Sequence, residues 1–230
     1  MNIMITGGAG FVGLNLIKEL SAHNHIVRVI DRDLVKIDRL KKIIDTVEAY
    51  HFDLAVRSEH WMCLFEGVDA VIQLQGEIAS TNQKDYVHNN IDSVQNLVDA
   101  CRANEVKHLI HIGSQSSTAN YENDYAVTKR KGEELVRDSG LPYTVLRPAI
   151  MFGEYDVHLM GKLRGIMRYS PVIPLPGDGL YKRQPLYVKY LCQIISSLLK
   201  TQPSNQTIKV YGEDAVTFYD MVKLMRNVMG

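Results

Sequence analysis

Apolar residues along this chain fall into two alternating rhythms. Runs of consecutive, mostly apolar positions at Met1–Ile5, Ile26–Ile30, Val47–Phe52, Ala70–Leu74, Lys107–Ile112 and Tyr143–Arg147 read as short buried strands. Between them the apolar residues recur at helical spacing. Val12, Leu16, Ile17 and Leu20 follow the first run, and Leu34–Ile44, Arg57–Phe65, Asp85–Ala103 and Asn123–Asp138 follow later ones. Strands alternating with helices predict a mostly parallel sheet covered on both faces. Past Pro148 the rhythm changes. Helices are expected at Val157–Tyr169, at Val188–Leu199 and from Thr217 onward, with a strand at Thr207–Tyr211. Pro171, Pro174, Pro176, Gly177 and Gly179 interrupt the region between them.

The first strand runs into Thr6-Gly7-Gly8-Ala9-Gly10-Phe11-Val12-Gly13. Glycines at a strand-to-helix turn allow a tight bend, a close approach of backbone N–H groups to a pyrophosphate, and close packing of helix on strand. The helix N-terminus adds unpaired donors and partial positive charge. About 18 residues further on, the second strand ends at Asp31, where such folds place an acid on the adenosine ribose. An acid there favours NAD. Arg32 beside it suits a 2′-phosphate and keeps NADP open. Asp31 would serve equally well as the N-cap of the next helix.

Bulk properties narrow the class. Lys+Arg and Asp+Glu both number 26, so net charge is zero and neither nucleic acid nor an anionic membrane is an expected partner. No apolar run is long enough to span a bilayer, no signal-peptide pattern opens the chain, and the 3 cysteines are widely spaced. This predicts a cytoplasmic protein with reduced thiols and no metal site.

The candidate chemistry lies after the fifth strand. Tyr125 and Lys129 stand four apart on a predicted helix and so share a face. A nearby ammonium stabilises phenolate, which suits Tyr125 to proton exchange with an alcohol or carbonyl. Ser114, in the loop Gly113-Ser114-Gln115-Ser116-Ser117 at the end of that strand, is placed to hydrogen-bond the reacting oxygen; these serines would also suit a polar loop capping its own backbone. Tyr219 and Lys223 repeat the spacing on the last helix without a glycine turn, and read as a solvated helix face.

Taken together, these residues resemble the short-chain dehydrogenase/reductase superfamily in its extended and atypical branches, the NAD-dependent epimerase/dehydratase type. The glycine turn matches TGxxGxxG, Asp31 the ribose acid, Asp53-Leu54 the pair that contacts adenine, Asn90 a helix asparagine, and Tyr125 with Lys129 the YxxxK pair completed by Ser114. Leu146-Arg147-Pro148 through Phe152-Gly153 resembles the segment that opens the substrate region, and the later part is most similar to the branch that includes an accessory subunit of respiratory complex I.

The resemblance implies an α/β Rossmann-type doubly wound parallel sheet at residues 1–150, with residues 151–230 forming a small, truncated substrate lobe. It implies cofactor contacts from Gly7, Gly10, Phe11, Val12, Gly13, Asp31, Arg32, Asp53, Leu54, Leu74, Gln75, Gly76, Tyr125, Lys129 and Pro148. Substrate contacts fall to Gln75, Gln115 and Arg183. In strand four, Gln73-Leu74-Gln75-Gly76 stands where the family has histidine-leucine-alanine-alanine, and Gly113 replaces a frequent serine.

The implied activity is an NAD(P)-dependent oxidation, epimerisation or dehydration at a hydroxyl or keto group, as on a nucleotide sugar, with Tyr125 as acid–base. The resemblance also implies a homodimer through the two long helices. The alternatives are a non-catalytic NAD(P)H-binding sensor or assembly subunit and, against the Tyr–Lys evidence, a methyltransferase using S-adenosylmethionine.

Overall fold

The apolar runs of the sequence supply the strands of the main sheet. The computed structural model describes residues 1–118, 123–170, 172, 173, 175 and 177–229. The helix-breaking positions Pro171, Pro174 and Pro176 therefore lie outside the described residues.

The N-terminal elements are β1 (Asn2–Thr6), α1 (Phe11–Ser21), β2 (Ile26–Asp31), α2 (Leu34–Ile43), β3 (Glu48–His51), α3 (Glu59–Met62), β4 (Ala70–Gln73), α4 (Gln83–Val87), α5 (Ser93–Ala103), β5 (His108–Ile112), α6 (Asp124–Arg137) and β6 (Tyr143–Pro148). They are followed by β7 (Met151–Phe152), α7 (Leu159–Tyr169), β8 (Lys182–Arg183), β9 (Leu186–Tyr187), α8 (Val188–Leu198), β10 (Gln206–Val210), β11 (Val216–Thr217) and α9 (Phe218–Met229).

One 7-stranded sheet runs β10-β6-β5-β4-β1-β2-β3, and every pairing in it is parallel. This is the Rossmann-type doubly wound arrangement. The order reverses between β1 and β4, so a crevice opens above their carboxyl ends, where such sheets bind ligands. The central strands are buried on both faces: all of β5 and β4 is inaccessible or nearly so. One core packs Leu14, Leu16, Ile17 and Leu20 of α1 and Leu191 and Ile195 of α8 on one face of the sheet. The other packs Trp61, Phe65, Leu97 and Val98 on the opposite face. Residues after 150 thus supply a strand and a helix to the main sheet. A third cluster, centred on Met160, Leu163, Met167, Phe218 and Met221, joins α7 to α9.

The long helix expected at Asp85–Ala103 is divided. A π-type turn at His88–Asp92 separates α4 from α5. The extra residue in this turn brings the buried Asn90 against neighbouring elements. Its Oδ1 accepts from Glu77 N–H (2.8 Å), and its Nδ2 donates to the Glu77 carbonyl (3.1 Å) and Thr128 Oγ1 (3.0 Å). The helix expected at Arg57–Phe65 shortens to α3, starting at a Ser58 cap and finishing in a tighter 3₁₀ turn. Among the described residues no helix is long and apolar enough to cross a membrane.

Candidate active site

A cavity of about 870 Å³ occupies the crevice, and every residue the sequence nominates for a site borders it, from Gly7 to Arg183. The glycine turn forms one end. Gly7 adopts φ +69°, and a Cβ there would lie 2.5 Å from the Gln75 nitrogen. A Cβ at Gly13 would lie 2.1 Å from the Gly8 carbonyl oxygen, so only glycine lets α1 approach the turn this closely. Helix α1 starts from Gly10 without a side-chain cap, and its first N–H groups are therefore offered to an anion.

Asp31 stands beside this turn. Its Oδ2 accepts from Ala9 N–H and its Oδ1 from Asp33 N–H, each at 3.1 Å, and each oxygen retains a lone pair. Burial pushes its pKa up, against the pull of those two N–H groups. The N-cap of α2 is Asp33, whose side chain accepts from Lys36 N–H, so capping does not fall to Asp31. Arg32 reaches Glu77 across the opening, at 3.4 Å. Asp53 contacts His88 Nε2 at 2.9 Å and Ala55 N–H at 3.0 Å. Burial raises the Asp53 pKa, but these partners together hold it below the usual value.

The strand-four departure has a consequence at the floor of the crevice. Gln75 accepts a short hydrogen bond from Thr6 Oγ1, while its Nε2 is buried with no hydrogen-bond partner among the described residues. Gln73 Oε1 and both ring nitrogens of His111 are buried in the same condition. His111 faces Gln73 in the β4–β5 register, and burial holds it neutral.

Helix α6 supplies another part of the cavity wall. Its N-cap, Asn123, accepts from Ala126 N–H at 2.8 Å. Tyr125 and Lys129 project into the cavity one turn apart, with the Tyr86 ring centroid 6.5 Å from that of Tyr125. Lys129 is buried, and its Nζ donates to the Ile112 carbonyl at 2.7 Å. Burial lowers its pKa to about 8, with Glu133 acting in the opposite direction.

Glu133 was not nominated by the sequence. It is fully buried one turn beyond Lys129, and Arg147 of β6 meets its Oε2 through Nε (2.8 Å) and Nη2 (2.5 Å). Its Oε1 accepts from Ser117 Oγ at 2.9 Å and lies 3.4 Å from Ser114 N. A Cβ at Gly113 would stand 2.3 Å from that oxygen, which explains the glycine at this position. Spacing could have found Glu133, since Tyr125, Lys129 and Glu133 recur every fourth residue on one face.

This carboxylate fixes the loop that carries Ser114. Ser114 Oγ accepts from Ser116 N–H at 3.1 Å and borders the cavity, so the local turn uses its lone pair and leaves its proton to donate. Gln115 donates weakly to the Val210 carbonyl at 3.5 Å. Lys182, Arg183 and Gln184 also border the cavity. Arg183 is exposed, with its guanidinium 4.8 Å from the Tyr181 ring centroid. His158, which no spaced motif marks, borders the cavity from the C-terminal segment.

Comparison with known proteins shows the family and the fold. The model described as NAD dependent epimerase/dehydratase family matches residues 3–211. The chain is 25% identical over 261 residues to an uncharacterized UDP-glucose epimerase of Bacillus subtilis (strain 168), covering 100% of this chain and 83% of that protein. It is 23% identical over 226 residues to the mitochondrial NADH-ubiquinone oxidoreductase 40 kDa subunit of Neurospora crassa, covering 96% of this chain but 58% of that one, under two thirds of its length. In fold it is similar to UDP-glucuronic acid 4-epimerase from Bacillus cereus, solved in complex with NAD, with TM-score 0.88, 21% identity, and 100% and 84% of the two chains covered.

Proposed function

The chain belongs to the NAD dependent epimerase/dehydratase family, and on that premise we propose that it oxidises and re-reduces, or dehydrates, a hydroxyl-bearing carbon of a nucleotide sugar, with Tyr125 as the acid–base. The observation that carries this reading is that α6 brings Tyr125 and Lys129 to the same cavity that the glycine turn and Asp31 line. A dinucleotide bound between them would supply the hydride acceptor and donor.

The residues present fit that cofactor. The uncapped α1 N-terminus and the close-packed turn suit a pyrophosphate, and the two Asp31 oxygens suit a ribose diol. Asp31 disfavours a 2′-phosphate, and Arg32 is engaged by Glu77, which supports NAD over NADP.

The chain's own groups divide the work. Tyr125 Oη takes the hydroxyl proton and later returns it. Lys129, anchored on the Ile112 carbonyl, places a positive charge on the same wall and favours the phenolate. Ser114 donates to the reacting oxygen and fixes its direction. Lys182 and Arg183 place positive charge on the cavity lining, suited to a substrate diphosphate. A second reading, cofactor binding without turnover, draws support from the similarity to the 40 kDa subunit.

Non-denaturing mass spectrometry of the purified protein, followed by incubation with UDP- and dTDP-sugars, separates these readings. The catalytic reading expects a dinucleotide adduct and conversion of at least one sugar nucleotide. An adduct with no conversion across the panel favours the second reading, and no adduct under saturating NAD contradicts both.

A further inference from the structure

His158 comes from the C-terminal segment, yet it meets the glycine turn of the site. It immediately precedes α7 and borders the cavity together with Gly10, Phe11 and Val12. Its ring packs edge-on against Phe11, the first residue of α1, with centroids 6.3 Å apart. The backbone holding it is fixed: Asp156 accepts from His158 N–H at 2.8 Å and from Gly161 N–H at 2.9 Å. A Cβ at Gly161 would lie 2.0 Å from the Asp156 carbonyl oxygen, so α7 packs closely on this turn. The imidazole is thus held beside the N-terminus where an anion is expected to bind.

The charged groups around it are few. From its own segment come Asp156 and Lys162; from α2 comes Lys36. Lys36 is paired with Asp33 at 3.3 Å. Asp31, across the turn, is held by backbone N–H groups. His158 is exposed at the cavity, and partial desolvation of its ring lowers its pKa, with Asp156 opposing and Lys162 and Lys36 reinforcing. A pyrophosphate on the α1 N-terminus would add negative charge next to this ring and reverse the balance.

We propose that His158 is a phosphate ligand of the dinucleotide site, closing over the α1 N-terminus and taking up a proton when a pyrophosphate is seated there. It thereby couples cofactor binding to the segment that opens the substrate side of the cavity. This rests on the reading of the cavity as a dinucleotide site.

The test is calorimetric titration of the full chain with NAD, ADP-ribose and adenosine at pH 6 and pH 8, in buffers of different ionisation enthalpy. The variants are His158→Ala and His158→Gln, the latter keeping a hydrogen-bonding side chain that cannot titrate. Wild type is expected to take up a proton with NAD and ADP-ribose but not with adenosine, and to bind the first two about three- to ten-fold more tightly at pH 6, as a shift of up to one pKa unit requires. Both variants are expected to lose the uptake and the pH dependence while retaining adenosine binding. Equal proton uptake by wild type and His158→Gln, with NAD binding intact, overturns the role of His158 and leaves the cofactor reading standing. Failure of wild type to bind NAD at either pH overturns both.

Discussion

Replacing Glu133 by Gln tests how the site is supported. Glu133 is wholly inaccessible, and the Arg147 side chain retains 14% of its exposure, so the two meet at 2.5 Å in a largely dry environment. An amide of the same shape can still accept from Ser117 Oγ, but it cannot neutralise the guanidinium. Breaking a buried pair by removing one charge costs about 3–5 kcal/mol, because the partner's desolvation remains uncompensated. For a chain of this size each kcal/mol shifts the melting temperature by roughly 2–4 °C. The product is a fall of about 6–20 °C. Thermal unfolding by circular dichroism measures it, with the double variant Glu133→Gln/Arg147→Met as the control. Removing both charges should restore most of the loss. A Glu133→Gln melting temperature within about 2 °C of wild type would refute the reasoning, since no buried charge would then depend on Glu133.

Three further outcomes follow from the same geometry. Gly13→Ala inserts a methyl 2.1 Å from the Gly8 carbonyl; it should destabilise by about 1–3 kcal/mol and weaken NAD binding, read by urea unfolding and fluorescence titration. Lys129 has a folded-state pKa of about 8 against 10.5 for an ordinary lysine. Below pH 8 both states are protonated and the folded one bears the full burial cost; above it the unfolded chain keeps the proton longer, so wild-type stability should rise between about pH 8 and 10.5 relative to Lys129→Met, by up to about 3 kcal/mol, measured as urea midpoints in that window. Asp31→Asn, which removes the charge but keeps the accepting oxygen for one backbone N–H, should lower the preference for NAD over NADP about ten-fold in competition binding, as expected for loss of one charge-assisted hydrogen bond.

The parallel sheet was legible because its strands are buried on both faces and therefore uninterrupted in the sequence, as in Ala70–Gln73 and His108–Ile112. The two-residue strands β7, β8, β9 and β11 carry too few positions to show any period, and their partners are remote, as Val216 is from Arg183. The π turn was hidden for another reason: its signature is a bulge of Asn90 into the space that Gly132 leaves on α6, a tertiary fit and not a local propensity.

At the site, Tyr125, Lys129 and the glycine turn were readable because each belongs to a spaced motif. His158 was not, because it reaches the α1 N-terminus through the path of the chain after β6 rather than through any spacing. Gly113 looked like an unexplained departure until Glu133 was placed against it.

In the proposed reaction bound NAD is used and Tyr125 handles the proton. Stopped-flow mixing of the NAD-loaded protein with UDP-glucose, UDP-glucuronic acid and dTDP-glucose, following the absorbance of reduced nicotinamide, tests it most directly. At least one sugar nucleotide is expected to reduce the bound cofactor, and Tyr125→Phe to slow this step by about 10²–10⁴-fold with NAD affinity unchanged within a few-fold. Reduction at the wild-type rate in Tyr125→Phe would contradict the assignment of the acid–base, and no reduction by any of the three in a protein saturated with NAD would contradict turnover of these substrates.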